Sequence, residues 1–454
     1  MQNYYAGNPL NRLSYLRSSA AFLTSALQSP KAKFVVLDGL QALSAPPNLD
    51  DFTRNLHTLS WNDVAPYVGQ ADKVFVGVDG KNDDEVAGLA VRGVEGQKLG
   101  KATVGDLTAD EKRHYFVNQP ALVFLGVDER SAPASAKSLP LSKPTDSSTL
   151  ETHSPYGIPY WALDISALAD LKERLLKEQE GREFVDLRAG MHMIPNEEAS
   201  IGAEARSLVD WNTRNKFCPA CARPQRSVWA GWKRTCIPGE PVGEGVEGVP
   251  ACASKKGVHN YQYPRTDPVV IMAILSPDKE SILLGRQRAW PARFYSCLAG
   301  FIESGESLEE AVRREVYEEA GVVVGEVGYL SSQPWPYPSS LMFGCWGIAE
   351  EGQVIRTDLD NELEDARFFT RAEVLDVINS NKPVVLTRED VSRIEGKDGV
   401  AHAEDKPKED DKGLFRMPPA TAIAHTLVDA WAKGTLFNPS ANPNLGGAAG
   451  SAKI

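Results

Sequence analysis

Three carboxylates carry the most pointed chemistry in this sequence. Glu315, Glu318 and Glu319 fall in the run Arg314-Glu315-Val316-Tyr317-Glu318-Glu319-Ala320-Gly321-Val322. On a helix, Glu315 lies one turn from both Glu318 and Glu319, so their charges crowd together. Carboxylates at that spacing repel one another unless a cation sits among them. Hard divalent cations favour clustered oxygen ligands, and Mg²⁺ is commonly shared between one or two carboxylates and substrate phosphates. Taken alone, the three side chains would also suit an acidic face turned to water.

A second group is made of sulfur. Of six cysteines, four lie between residues 218 and 252. That clustering points to metal binding in a reducing compartment rather than to a distributed disulfide framework. Phe217-Cys218-Pro219-Ala220-Cys221 is one metal knuckle, and Cys236 and Cys252 form the obvious second pair. Residues 237–251, rich in Gly, Pro, Glu and Val, open that second pair like an insertion, which leaves His259 as an alternative to Cys252. A closed four-thiolate zinc site is structural, with no open position for chemistry. Cys297 and Cys345 sit in strand-like apolar contexts and are expected in the core.

The carboxylates require a helix with a buried side. Leu308, Ala311, Val312, Val316 and Ala320 recur at helical spacing and predict it, with the carboxylates on the opposite face. Ser304, Gly305 and Ser307 mark a loop and the helix start, and Gly321 is a natural stop. Upstream, residues 268–275 read as a buried strand that pairs with residues 281–286 across a Pro-Asp-Lys turn, and residues 294–300 lead into the loop. Downstream, Ser332-Gln333-Pro334-Trp335-Pro336-Tyr337-Pro338-Ser339-Ser340 places three alternating prolines in an extended element and excludes a regular central strand. Trp335 and Tyr337 offer flat faces to a ring, while Gln333, Ser339 and Ser340 offer hydrogen bonds.

The chain has 454 residues, 42% apolar and 24% charged, enough for two or three domains and a sizeable core. A net charge of −12 argues against broad, non-specific nucleic-acid binding. Residues 206–265 are locally basic, with 10 Lys and Arg against 4 Asp and Glu, and Trp211, Trp229, Trp232 and Tyr261 interleave. That stretch suits either a weak RNA-contacting face or an ordinary soluble surface. No run of 18 apolar residues exists, which predicts no membrane insertion. Arg12 and Arg17 precede only a short, broken apolar patch, unlike a secretory signal.

Residues 1–205 read as a strand-rich domain, with strands at 34–39, 73–79 and 121–128 and helices at 168–178 and 200–212. Residues 129–155, rich in Ser, Pro and Thr, read as a mobile loop. His114, His153 and His192 are isolated and read as structural or exposed. Near the end, residues 395–413 read as a charged, disordered insertion and residues 438–454 as a flexible tail. The tail closes on Ala452-Lys453-Ile454, a variant of the Ser-Lys-Leu peroxisomal address; peroxisomal delivery through an import receptor is the expectation, a cytoplasmic protein the alternative.

Gly300, Glu306 and residues 314–322 resemble the Nudix box at every defining position. The nine residues from Ser332 to Ser340, just after that box, resemble the signature of the NADH pyrophosphatase family, which usually has Phe where this chain has Tyr337. The likeness covers about residues 163–431 and, more weakly, the N-terminal part. It implies an α/β fold: a Nudix α/β/α sandwich with mixed sheet (265–437), preceded by a zinc ribbon (206–264) and a strand-rich α+β Nudix-like domain (1–205), commonly as a homodimer. It further implies that Glu315, Glu319 and Glu362 hold the catalytic Mg²⁺ or Mn²⁺, assisted by Glu318 and the Ala299 carbonyl. Arg314 would orient Glu315 or the loop. The segment from Gln333 through Pro334, Trp335, Pro336, Tyr337, Pro338 and Ser339 to Ser340 would hold the nucleotide, and Tyr263 and Ala424 match further substrate contacts. Cys218, Cys221, Cys236 and Cys252 would hold Zn²⁺. A Glu of the family pattern falls near Gly231 here, so no contact is carried over from it.

The implied reaction is metal-dependent hydrolysis of NADH and NAD⁺ to AMP and nicotinamide mononucleotide, with Glu318 the first candidate for general base. Removal of NAD caps from RNA 5′ ends, the same chemistry on the same bond, is the alternative, and a non-hydrolytic nucleotide sensor is a third reading.

Overall fold

The computed structural model describes residues 3–69, 71–75, 117, 119–132, 157–188, 190, 193–237, 252, 262–291, 293–380 and 415–437. His114, His153, His192, His259, most of the segments 129–155 and 237–251, and all of residues 395–413 and 438–454 lie outside them. The chain divides into two compact units, Asn8–Arg265 and a second that joins Met1–Gly7 to Thr266–Ile454. Among the described residues no helix is long and apolar enough to cross a membrane.

The unit Asn8–Arg265 contains helices α1 (Ala20–Leu27), α2 (Trp61–Val68), α3 (Ala71–Val74), α4 (Ala169–Glu178) and α5 (Asn196–Arg214). Its main sheet is built from β1 (Lys33–Asp38), β2 (Gln41–Ser44), β3 (Thr58–Leu59), β4 (Leu122–Asp128), β5 (Ile158–Asp164) and β6 (Glu183–Val185). The order is β4-β5-β1-β2-β6, with β3 also on β1, and only β1 and β5 run parallel. Phe34 and Val36 face one core with Phe22, Phe124 and Trp161, whereas Val35 and Leu37 face another with Ile201, Ala205 and Val209 of α5. A strand covered on both faces reads as an unbroken apolar run, which is why residues 34–37 are all hydrophobic. Two expectations are corrected. Residues 71–74 form a helix where a strand was read from 73, and residues 76–79 of that strand lie outside the described residues. The domain limit placed at 205 falls inside α5, a continuous helix.

Strands β7 (Gln225–Val228) and β8 (Lys233–Cys236) form a separate antiparallel ribbon. The turn between them packs on β4. Gly231 has φ +93°, and a Cβ there would lie 2.7 Å from Val123, so only glycine fits. The Trp232 indole donates to the Phe124 carbonyl at 2.6 Å. The Arg17 guanidinium lies 3.5 Å from the centre of the Trp232 ring. Nearby Glu204, 7% exposed, accepts from Asn8 at 2.7 Å and pairs with Arg12 at 3.1 Å.

The second unit is an α/β/α sandwich. Its mixed sheet comprises β9 (Asp267–Leu275), β10 (Ser281–Gln287), β11 (Leu298–Phe301), β12 (Val324–Trp335), β13 (Ser340–Ala349) and β14 (Leu363–Thr370), in the order β12-β13-β9-β10-β14 with β11 also on β9. β13 and β9 are parallel and the other pairs antiparallel. Helix α6 (Leu308–Ala320) covers one face and α8 (Ile423–Ala432) the other, with α7 (Arg371–Asn379) beside α8. Along β9, Val270, Met272 and Ile274 pack under α6, while Ile271, Ala273 and Leu275 pack under α8. The proline-rich segment is a hairpin. Pro334 and Trp335 end β12, the edge strand, where a residue without an N–H breaks no ladder on its outer side.

Burial pushes the Glu204 carboxyl up to about 7, against the pull of Arg12, Arg17 and Asn8. The folded chain therefore holds this proton more tightly than the unfolded chain does, and its stability falls as pH rises from about 4.5 to about 7. Glu204→Gln removes that titration. Urea denaturation of both proteins at pH 5 and pH 8 is expected to show a smaller pH penalty in the variant, by on the order of 3 kcal/mol. Equal slopes would reject the assignment.

Candidate active site and cysteine cluster

Helix α6 starts with a capping box. Ser307 Oγ accepts from the Glu310 N–H, and the Ser307 N–H donates to the Glu310 carboxylate at 2.7 Å. Gly321 closes the helix at φ +66°. Between these caps the three carboxylates differ in burial, which corrects the reading that put all three on the face opposite the apolar stripe. At 100° per residue, Glu319 falls inside the stripe of Ala311, Val312, Val316 and Ala320, and it is buried at 3% exposure. The Glu318 side chain is 49% exposed. Glu315 stands between them and is half-buried.

Arg314 gathers this end of the unit. Its five N–H donors all find acceptors. Nε and Nη2 hold the Glu306 carboxylate at 2.6 and 2.8 Å, and Nη2 also reaches the Phe301 carbonyl at 2.8 Å. Nη1 donates to Glu315 at 2.8 Å and to Glu318 at 2.9 Å. The guanidinium holds Glu306 well below the usual carboxylate range. Glu306, which the sequence reading placed in the motif without a role, thus ties the loop to the helix.

The Glu315 carboxylate lies directly on β11. A Cβ on Gly300 would sit 2.0 Å from its carboxyl carbon. Glu319 accepts from the Ala299 N–H, which lies in the same strand. In an antiparallel strand a residue's N–H and C=O point to the same side, so the Ala299 carbonyl also leaves β11 toward Glu319. Burial first, then the Glu362 and Glu315 charges, push the Glu319 carboxyl well above its ordinary range. Its Oε1 is buried without a hydrogen-bond partner. Burial also raises Glu315, against Arg314. Glu362, whose Oε1 accepts from Gln287 at 2.6 Å, is raised by desolvation and by Asp360. Glu315, Glu319 and Glu362 thus act on one another beside one arginine, and a buried oxygen is left over. Such a donor set fits hard divalent cations.

The hairpin lies at the same end of the sheet. Trp335 pairs with Ser340, Ser340 with Asp267, and Phe301 with Val269, so β11 and the hairpin flank the start of β9. β11 and β12 lie three strand spacings apart, roughly 14 Å. The Trp335 and Tyr337 rings are half-buried and meet edge to face at 5.5 Å. Pro336 and Ser340 are buried, Pro334 is half-buried and Pro338 is exposed. Ser339 donates to Asp267 at 3.3 Å.

Residues 265–388 match the profile of the NUDIX domain, and residues 69–211 match the NADH pyrophosphatase-like rudimentary NUDIX domain. The chain is 35% identical over 432 residues to the NAD-capped RNA hydrolase of Schizosaccharomyces pombe, covering 94% of this chain and 92% of that one. It is 32% identical over 451 residues to the NAD-capped RNA hydrolases NUDT12 of Macaca fascicularis and Homo sapiens, covering 98% of this chain and 75% of each. The chain belongs to the NADH pyrophosphatase family of Nudix hydrolases.

In this Nudix hydrolase one expected substrate donor is otherwise engaged. Gln333 is fully buried. Its Nε2 donates to the carbonyls of Tyr4 at 3.0 Å and Thr421 at 2.8 Å, and its Oε1 accepts from the Ile423 N–H at 2.9 Å. Both amide hydrogens are used inside the unit, so Gln333 shapes the hairpin rather than offering a hydrogen bond to a nucleotide. Ala424 is buried in the first turn of α8, and its carbonyl accepts from Cys297 at 3.8 Å. Cys297 and Cys345 are buried. Tyr263 belongs to the unit Asn8–Arg265, where it meets Trp229 edge to face at 5.9 Å and lies under Lys233. Sequence reasoning missed residues 3–5 and Thr421 as partners of the hairpin. Nothing local marks them, because their contacts bridge some 330 and 90 positions.

In the unit Asn8–Arg265, Cys218, Cys221, Cys236 and Cys252 bring their four sulfurs within 4.8 Å of one another. Cys252 therefore takes the fourth corner despite the long insertion. Gln262 donates to the Cys236 sulfur at 3.5 Å.

Gly300→Ala is expected to push the Glu315 carboxylate off β11. Turnover should fall about 100-fold, the scale for an ångström-sized misplacement, with an unchanged far-ultraviolet spectrum. Turnover within twofold of wild type would show that Glu315 works elsewhere.

Proposed function

We propose that this enzyme hydrolyses the pyrophosphate bond of an NAD moiety, with the NAD cap of RNA 5′ ends as the first substrate class and free NADH and NAD⁺ as the second. The names carried by the relatives support the first class, and the hairpin's resemblance to the NADH pyrophosphatase signature supports the second. The single observation that carries metal-dependent hydrolysis is the Glu319 carboxylate, buried among like charges with one oxygen unpartnered. Leaving such an oxygen bare is costly unless a cation completes it.

Glu315, Glu319 and Glu362, with the Ala299 carbonyl, would hold Mg²⁺ or Mn²⁺. Bound there, divalent ions offset charge on the pyrophosphate oxygens and acidify a water. The protein's own groups do the rest. Arg314 holds Glu315 and Glu318 together on one nitrogen and fixes both. Glu318, the most exposed of the three helix carboxylates, is the candidate general base. Trp335 and Tyr337 present ring faces for a base of the dinucleotide, and Ser339 adds a hydroxyl. The products would be AMP and nicotinamide mononucleotide, or a 5′-phosphorylated RNA in place of AMP.

We further propose structural Zn²⁺ at the four cysteines. Tetrahedral zinc with Zn–S near 2.3 Å sets sulfurs about 3.8 Å apart, and the Cys218–Cys252 and Cys221–Cys236 separations are 3.8 and 3.6 Å. A closed tetrahedron leaves no position for substrate, so its role is to stabilise the ribbon.

Product analysis tests the reaction. Purified protein with Mg²⁺ or Mn²⁺ is expected to release nicotinamide mononucleotide from NAD-capped RNA, NADH and NAD⁺, and Glu319→Gln at saturating metal should lose at least about 100-fold in kcat. A tenfold or smaller loss would argue against the metal assignment, and no turnover of any NAD-linked compound would favour a nucleotide sensor. For the cysteines, elemental analysis should find about one zinc per chain. Cys218→Ser should lose it and lower the melting temperature; full metal content in that variant would refute the site.

A further inference from the structure

Residues 3–5 belong to the catalytic unit although the rest of that unit begins at Thr266. Asn3 Nδ2 donates to the Ser332 carbonyl at 2.7 Å and the Ser331 hydroxyl at 3.2 Å, along the outer edge of β12. Its Oδ1 accepts from Thr426 at 3.2 Å. The Tyr4 carbonyl accepts from Gln333 at 3.0 Å. Tyr5 then turns into the hairpin. Its hydroxyl lies 2.8 Å from the Tyr337 hydroxyl, and its ring stands edge-on to Trp335 at 6.4 Å and to Tyr337 at 6.2 Å.

Two features separate this contact from ordinary packing. Tyr5 is 2% exposed, and a buried hydroxyl costs free energy unless it is hydrogen-bonded. Tyr5 also has φ +66°, a left-handed conformation that a bulky residue keeps only when its surroundings hold it there. The hairpin is among the surroundings that hold it, through the Tyr337 hydroxyl and the Trp335 and Tyr337 rings.

We propose that Tyr5 is a positioning residue that sets substrate affinity. By fixing the Tyr337 hydroxyl and bracing the edges of both rings, it orients the Trp335 and Tyr337 faces for a base of the dinucleotide. The inference rests on the reading of the hairpin as the nucleotide site. Tyr5 does not touch the reacting phosphates, so its influence is felt in binding and not in the chemical step.

Steady-state kinetics on NADH and NAD⁺ with Tyr5→Phe, Tyr337→Phe and the double variant test it, beside Tyr5→Ala and melting curves for all. Tyr5→Phe keeps the ring and is expected to raise KM roughly three- to tenfold with kcat within twofold of wild type. Tyr5→Ala should raise KM further. The double variant should raise KM no more than the larger single change, because both substitutions break the same bond. A melting temperature lowered by Tyr5→Phe with KM unchanged, or a fall in kcat alone, would make Tyr5 merely structural and overturn the proposal. So would additive KM effects. Wild-type protein that neither binds nor cleaves NADH, NAD⁺ or NAD-capped RNA would remove the nucleotide site and with it both readings, whereas an active wild type with unaltered variants overturns the positioning role alone.

Discussion

The catalytic unit depends on keeping several carboxylates together against their mutual repulsion. One arginine makes that arrangement stable. Arg314 uses every N–H of its planar fork, two on Glu306, one each on Glu315 and Glu318, and one on the Phe301 carbonyl. A lysine has three donors on a flexible stem and could not span the loop, the strand and two helix positions at once. Glu319 receives nothing from this arginine and stays buried with a raised carboxyl. The asymmetry separates the three. Glu315 and Glu318 are held in place, while Glu319 keeps one buried oxygen without a hydrogen-bond partner.

The scaffold that presents these groups follows from a sheet covered on both faces. β9 sends alternate residues to α6 and to α8, so it can be neither shifted nor slipped by one residue without reversing two cores. β11 is pinned to it from Leu298 to Phe301, which brings Ala299 and Gly300 under the carboxylates of α6. Gly300 is required by close approach, since any Cβ would overlap the Glu315 carboxyl. On the other side, β13 aligns the hairpin with the start of β9. The carboxylates of α6 and the aromatic rings of the hairpin thus share one end of a single sheet.

The edge of β12 poses a different problem, because an exposed edge invites pairing with other chains. Here Pro334 removes a donor and Asn3 caps the Ser332 carbonyl. Gln333 ties the edge to Tyr4, Thr421 and Ile423. The segment that protects the edge also shapes the hairpin. In the other unit, the ribbon turn meets β4 through the Trp232 indole on the Phe124 carbonyl, with the Arg17 guanidinium over the same ring.

Much was legible in the sequence, because it is written in local patterns. The helix limits at Ser307 and Gly321, the apolar stripe between them, the strands of the catalytic unit and the first cysteine pair all follow from periodicity, caps and spacing over a few residues. The motif from Gly300 to Val322 carried the family, since its chemistry needs those residue types at those intervals. What only the tertiary structure decided depends on distance in space. Helical periodicity already placed Glu319 inside the apolar stripe, but only the packed sheet set its Oε1 in a buried place without a partner. Gln333 changed from an offered donor to an internal clamp because its partners lie far along the chain. Cys252, which the sequence paired with Cys236 but left beside His259 as an alternative, meets the other three sulfurs only because the fold spans the intervening residues. Residues 3–5 reached the hairpin from over 300 positions away. Local sequence specifies local conformation, whereas such contacts are specified by the whole packed chain, and no short stretch records them.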